Sequence, residues 1–117
     1  MNRIRLTLAG TVALALAVAA PTGAATTKLV ASVGPGTTIT LTKGGKKVST
    51  LKPGKYAITV NDKATSHNFH LTGPGVNKLT SVTFKGTKSW TVTLKKGTYK
   101  YVCDPHRAFM KGSFRVA

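Results

Sequence analysis

Apolar and polar residues alternate at period two through Thr38-Ile39-Thr40-Leu41-Thr42 and again through Trp90-Thr91-Val92-Thr93-Leu94, and no stretch sustains a helical period. Such alternation puts every second side chain on one face of a strand, so one face is buried and the other is wet. The same reading predicts strands at Val48–Leu51, Lys55–Val60, Ser66–Leu71, Leu79–Phe84, Thr98–Cys103 and Ser113–Val116. Gly44-Gly45, Pro53-Gly54, Gly73-Pro74-Gly75 and Lys85-Gly86 supply the turns, the first of them a hairpin between Thr38–Thr42 and Val48–Leu51. Seven to eight short amphipathic strands must bury their apolar faces on one another. The expected fold class is therefore all-β, an antiparallel β-sandwich or a Greek-key barrel. Leu51-Lys52-Pro53-Gly54-Lys55-Tyr56 is echoed by Leu94-Lys95-Lys96-Gly97-Thr98-Tyr99, which reads as one strand–turn–strand solution used twice rather than a duplicated domain.

The start of the chain has a different pattern. Arg3 and Arg5 precede the uncharged apolar run Leu6–Ala20, and Pro21-Thr22-Gly23-Ala24-Ala25 brings the small residues that a signal peptidase accepts. The run is shorter than the roughly 20 residues needed to span a bilayer. Residues 1–25 are expected to be a cleaved secretory signal peptide and residues 26–117 a single domain, secreted to the extracellular space, periplasm or cell envelope.

Charge and compartment together narrow the partners. The chain carries 18 Lys plus Arg against two acidic residues, a formal net charge of +16, and without Arg3 and Arg5 the balance is +14. A basic chain would ordinarily be read as a nucleic-acid binder, but an exported one is expected to meet no nucleic acid. Its counterparts become acidic redox partner proteins, lipid headgroups or anionic cell-envelope polymers, and the domain is expected to be a monomer. The acid shortage also excludes chemistry. Asp62 and Asp104 are the only carboxylate side chains, too few for an oxygen-rich calcium cage and only just enough for one catalytic pair.

Cys103 is the only cysteine, so no internal disulfide is possible in a domain whose size and export would favour one. Its neighbourhood offers a use for the thiol. Asp104-Pro105 turns the chain, His106 follows at the third position, and Met110 lies four further on, so Cys-x2-His-x3-Met gathers a thiolate, an imidazole and a thioether in one loop. These soft and borderline donors suit copper. A trigonal site needs one more imidazole, and Ser66–Leu71 offers two. Alternation places His67 on the inward face with Phe69 and Leu71, and Asn68 and His70 on the other. His70 reads as a surface histidine, and Tyr99, Tyr101 and Trp90 as core. A cysteine hydrolase would need a free imidazole and an open oxyanion site, which a metal at these donors would exclude.

These residues, His67-Asn68, Gly97-Thr98-Tyr99-Lys100-Tyr101-Val102-Cys103-Asp104-Pro105-His106 and Met110-Lys111-Gly112-Ser113-Phe114, resemble the cupredoxins, in particular the plastocyanin-like and amicyanin-like type 1 blue copper proteins. The resemblance implies a cupredoxin-like, eight-stranded Greek-key β-sandwich and one type 1 copper ion with His67, Cys103 and His106 as equatorial ligands and Met110 as the weak axial one. It also implies that Asn68 and Asp104 support the ligands from behind, with Asn68 hydrogen-bonded across to the ligand loop, and that electrons pass at the edge of His106. The loop departs from both subfamilies. Three residues separate His106 from Met110, more than in amicyanin and fewer than in plastocyanin. The function implied is single-electron transport rather than enzymatic turnover, with extracellular copper handling as the alternative.

Overall fold

Leu29, Ala31, Val33, Leu41, Tyr56, Ile58, Val60, Val92 and Leu94 are buried at alternate positions of one five-stranded sheet; Leu71, Tyr99, Tyr101, Phe114 and Val116 are buried likewise in a second. The two sheets close on each other as the expected β-sandwich in a computed structural model that describes residue 10 and residues 25–117. The expected signal segment lies outside the described residues except for Gly10 and Ala25. The strands are β1 (Thr27–Val33), β2 (Ile39–Lys43), β3 (Lys46–Lys47), β4 (Thr50–Leu51), β5 (Gly54–Asp62), β6 (His70–Gly73), β7 (Val76–Leu79), β8 (Gly86–Leu94), β9 (Gly97–Val102) and β10 (Lys111–Val116). Their order is β3-β2-β1-β5-β8 in one sheet and β4-β10-β9-β6-β7 in the other. Eight of them have four or more residues; β3 and β4 have two each.

The structure corrects the sequence reading in four places. Strand β1 was not anticipated. Both sheets are mixed rather than antiparallel, because β1 runs parallel to β5 and β4 parallel to β10. The Gly44-Gly45 turn, with both residues at positive φ (57° and 79°), pairs β2 with Lys46–Lys47 rather than with Val48–Leu51. Buried Val48 then bonds its N–H to Leu41, and Thr50–Leu51 crosses to pair with β10 in the opposite sheet. Finally, β6 begins only at His70 and β7 ends at Leu79. The remaining predicted strand residues, Ser66–Phe69 and Thr80–Phe84, form loops: Thr80 N–H still bonds to the Phe69 carbonyl, but Phe69 N–H donates to the Thr80 side-chain Oγ1 in place of a backbone carbonyl, and the ladder stops there.

The repeated hexapeptide has a structural meaning. Each copy carries the chain from one sheet to the other, and each ends in a tyrosine whose hydroxyl donates back to the carbonyl four residues earlier, Tyr56 to Lys52 at 2.6 Å and Tyr99 to Lys95 at 3.1 Å. Glycine is required at the bend, since Gly54 and Gly97 stand at φ 153° and 145°. Both corners lie at one end of the sandwich. The segments Asp62–Phe69 and Cys103–Met110 lie at the other, joined to strand ends paired as Val33 with Asp62 and His70 with Val102. An aromatic stack, Tyr99 on Phe114 at 5.2 Å and Tyr101 on Phe69 at 5.5 Å, fills the interior leading to that second end.

Candidate metal centre

Backbone hydrogen bonds shape the segment after β9 before any metal is considered. His106 N–H donates to the Cys103 carbonyl, Phe109 and Met110 N–H groups both donate to the His106 carbonyl, and Cys103 N–H closes the loop on the Met110 carbonyl at 3.0 Å. The first turn, Asp104–His106, is a short 3-10 turn opened by Pro105. Tight i to i+3 bonds of this kind put residues three apart on the same side. Cys103 and His106 therefore face one point. His67, on the loop between β5 and β6, completes the group: its Nδ1 lies 3.6 Å from Cys103 Sγ and 3.1 Å from His106 Nδ1, and Cys103 Sγ lies 3.6 Å from His106 Nδ1.

A triangle with these sides has its centre about 2.0 Å from each corner, close to the roughly 2.0–2.3 Å bonds that first-row metals make to imidazole and thiolate. The donors fit a copper ion in chemistry as well, being one soft sulfur and two imidazoles with no carboxylate among them. Cys103 is fully buried, His67 nearly so, and His106 is partly open to solvent. Met110 is fully buried at the end of the same loop. His70, the second imidazole of its segment, is not in the cluster.

Residues 32–117 match the copper binding proteins of the plastocyanin/azurin family. The chain belongs to that family. It is thus a cupredoxin, and the architecture agrees: rusticyanin from Thiobacillus ferrooxidans aligns at 25% identity with a TM-score of 0.56, covering 79% of this chain and 77% of that one. A methionine-to-glutamine mutant of rusticyanin shares the fold at 21% identity, TM-score 0.59, over 79% of this chain and 78% of its own. So does a chain of a heme-copper terminal oxidase dimer at 18% identity, TM-score 0.55, over 77% of this chain and 63% of that one. No curated protein matches by sequence.

Behind the cupredoxin ligands stands a network that ties the two ligand-bearing segments together. Asn68, next to His67 and 1% exposed, accepts the Asp104 N–H at 2.7 Å and donates to the Asp104 carboxylate at 2.8 Å and the Thr80 carbonyl at 3.2 Å. The Asp104 carboxylate also receives His70 Nδ1 at 2.9 Å and Arg107 Nη2 at 2.9 Å, and the far nitrogen of His70 meets Asn77 Oδ1 at 2.7 Å. Sequence reasoning put Asn68 and Asp104 here but left His70 on the surface. The available signals were its place on the same side as Asn68 and the scarcity of acids to pair with. Asn68→Ala is expected to destabilise the metal-free protein by about 2–3 kcal/mol, because it leaves the Asp104 N–H without its partner and cuts the tie between the segments. Thermal unfolding measures this; an unchanged midpoint would contradict the tie.

His70 and Asp104 also set a pH dependence. Burial pulls the His70 pKa down, but the hydrogen bonds to Asp104 and Asn77 outweigh it and hold the imidazole above its usual 6.5. Burial pushes Asp104 up, and the bonds from Asn68, His70 and Arg107 bring it below 3.8. A raised histidine gives stability that is complete below its unfolded pKa and lost as pH rises through the folded one; a depressed carboxylate gives stability lost as pH falls through its folded value. The pair therefore contributes most between those limits. The midpoint difference between the metal-free parent and His70→Phe is expected to shrink as pH rises from about 6 to about 9. A constant difference would assign the effect to packing. Asp62, buried beneath the same end, has its carboxyl raised by burial, against the lowering influence of the Ala64 N–H and of His67. It is not one of the converging donors.

Proposed function

We propose that this cupredoxin is an exported type 1 copper protein that carries single electrons between redox partners and has no enzymatic turnover of its own. The observation that carries the reading is the ready-made triangle of His67, Cys103 and His106, three donors brought within 3.6 Å of one another from two segments tied by Asn68 and Asp104. Copper bound there would take up and release one electron between Cu(II) and Cu(I). The chain's part is to hold its ligands nearly fixed in both states, which lowers the cost of each transfer, and to keep water from the buried sulfur. Met110, fully buried in the ligand loop, would supply the thioether that tunes the potential of the bound ion. Asn68 and Asp104 keep the ligand segments in register.

With His67, Cys103, His106 and the Met110 thioether all holding the ion, no position would be left on it for a substrate. The partly open ring of His106 is the exit for electrons, bordered by exposed Phe109, whose ring lies 5.4 Å away. The signal-like residues 1–25 support export to the cell envelope or beyond, and the excess of lysine favours acidic redox proteins as partners of the monomer. Voltammetry of the copper-loaded protein tests the reading. Repeated reduction and reoxidation without loss of copper is expected, with Met110→Leu remaining reversible at a shifted potential. Release of the ion on reduction would instead identify a copper-handling protein.

A further inference from the structure

Six of the fourteen lysines stand at the turns and corners of one end of the sandwich. Lys43 and Lys46 flank the Gly44-Gly45 turn, Lys52 and Lys55 flank one sheet-crossing corner, and Lys95 and Lys96 form the other. All six are exposed. The register places them at one pole, since Gly54 pairs with Leu94, Val116 with Gly97, and Val116 with Leu51. An open cleft of about 570 Å³ at this pole is lined by Lys43, Lys52 and Lys55. The acids lie elsewhere. Asp62 and Asp104, the only two carboxylate side chains, are both at the metal end, and among the described residues the ion pairs are confined to Asp104 with His70 and Arg107. No acidic side chain offsets the six lysines at the far pole.

A second observation concerns the path of the chain. Ala25 lines the same cleft and β1 starts beside it, so the domain is joined to residues 1–24, with their apolar run Leu6–Ala20, at this pole and not at the metal end. With residues 1–25 acting as an export signal, this pole follows directly on the signal and is the part of the domain that emerges beside the bilayer. We infer that the lysine pole is a docking surface for the anionic phosphates of a lipid bilayer, which turns His106 and Phe109 away from the membrane toward soluble partners. Clustered lysines next to anionic headgroups attract strongly within about a Debye length, some 10 Å at 0.1 M salt. A cluster at one end, rather than a stripe along a strand, fits a planar charged surface better than a threaded polymer.

The inference does not depend on the copper reading. The test uses the protein produced from the full chain and loaded with copper, mixed with vesicles of phosphatidylcholine alone or with added phosphatidylglycerol. Partition onto the anionic vesicles is expected to exceed that onto neutral ones by about tenfold or more at low salt, and the difference should vanish in about 0.5 M salt. Replacing the six pole lysines by glutamine should abolish the difference. Replacing Lys63, Lys78, Lys85, Lys88, Lys100 and Lys111 should retain most of it. Circular dichroism checks that both variants fold. Equal loss in the two variants would mean that net charge alone is responsible and overturn the proposal, as would absence of any preference for phosphatidylglycerol. Equally tight, pole-dependent binding of soluble polyphosphate would also overturn it in favour of a polymeric partner. A negative result with the copper absorption intact would leave the metal site standing.

Discussion

Replacing Cys103 by serine is expected to lower copper affinity more than 100-fold and to remove the strong visible absorption of the copper-loaded protein. Substitutions behind a metal's ligands already cost about 10–100-fold, and Cys103 is itself the single sulfur of the converging donor set, at 3.6 Å from each histidine nitrogen. A serine oxygen is a harder donor on a shorter bond and keeps its proton at neutral pH, so it replaces neither the softness nor the charge of the thiolate. The fold should survive, because Cys103 N–H remains bonded to the Met110 carbonyl whatever the side chain. Copper titration of the folded variant and its visible spectrum report both effects. A serine variant that held copper as tightly as the parent would remove Cys103 from the site.

A comparably large effect on stability is expected from Gly112→Ala. Gly112 pairs with Tyr101 across β9 and β10, and a Cβ there would run into the Tyr101 ring. The ring cannot retreat: it is 1% exposed and stacked on Phe69, with Phe114 on its other flank. Overpacking of this kind costs about 1–3 kcal/mol and occasionally more; with backbone as well as ring obliged to shift, about 3 kcal/mol is expected. That corresponds to a fall of roughly 12–24 °C in unfolding midpoint for a domain of this size. Lys111 pairs with Val102 at the mouth of the ligand loop, so the displaced strand should weaken copper binding too. Gly36→Ala is the control. Its φ of 63° is strained for alanine, yet nothing stands within 4 Å, and about 1–2 kcal/mol is expected.

How far the sequence revealed this protein depended on how local each feature was. Cys103, His106 and Met110 sit within eight residues, and donor chemistry alone pointed to copper. His67 could be found because alternation placed it inward, although its segment turned out to be a loop whose ladder bonds go to Thr80. Strands such as Trp90–Leu94 and Thr98–Cys103 were legible from their period. Strand β1 was not, because Val30 is also apolar on its outer face, 39% exposed, and blurs the alternation of Leu29, Ala31 and Val33. The parallel pairings of β1 with β5 and β4 with β10 join residues far apart in sequence, and nothing local encodes them. The hexapeptide echo was visible, but that each copy is a corner pinned by a tyrosine hydroxyl emerged only from the fold. The role of His70 stayed hidden for the same reason, since its partner Asp104 lies 34 positions away.

The central claim is that His67, Cys103 and His106 hold one copper ion through the thiolate. The visible and paramagnetic-resonance spectra of the protein loaded with Cu(II) test it most directly, because together they report the metal count, thiolate ligation and the geometry of the site. One copper per chain with an intense thiolate-to-copper absorption is the expected result. A copper spectrum with nitrogen and oxygen ligation only, and no such absorption, would contradict it.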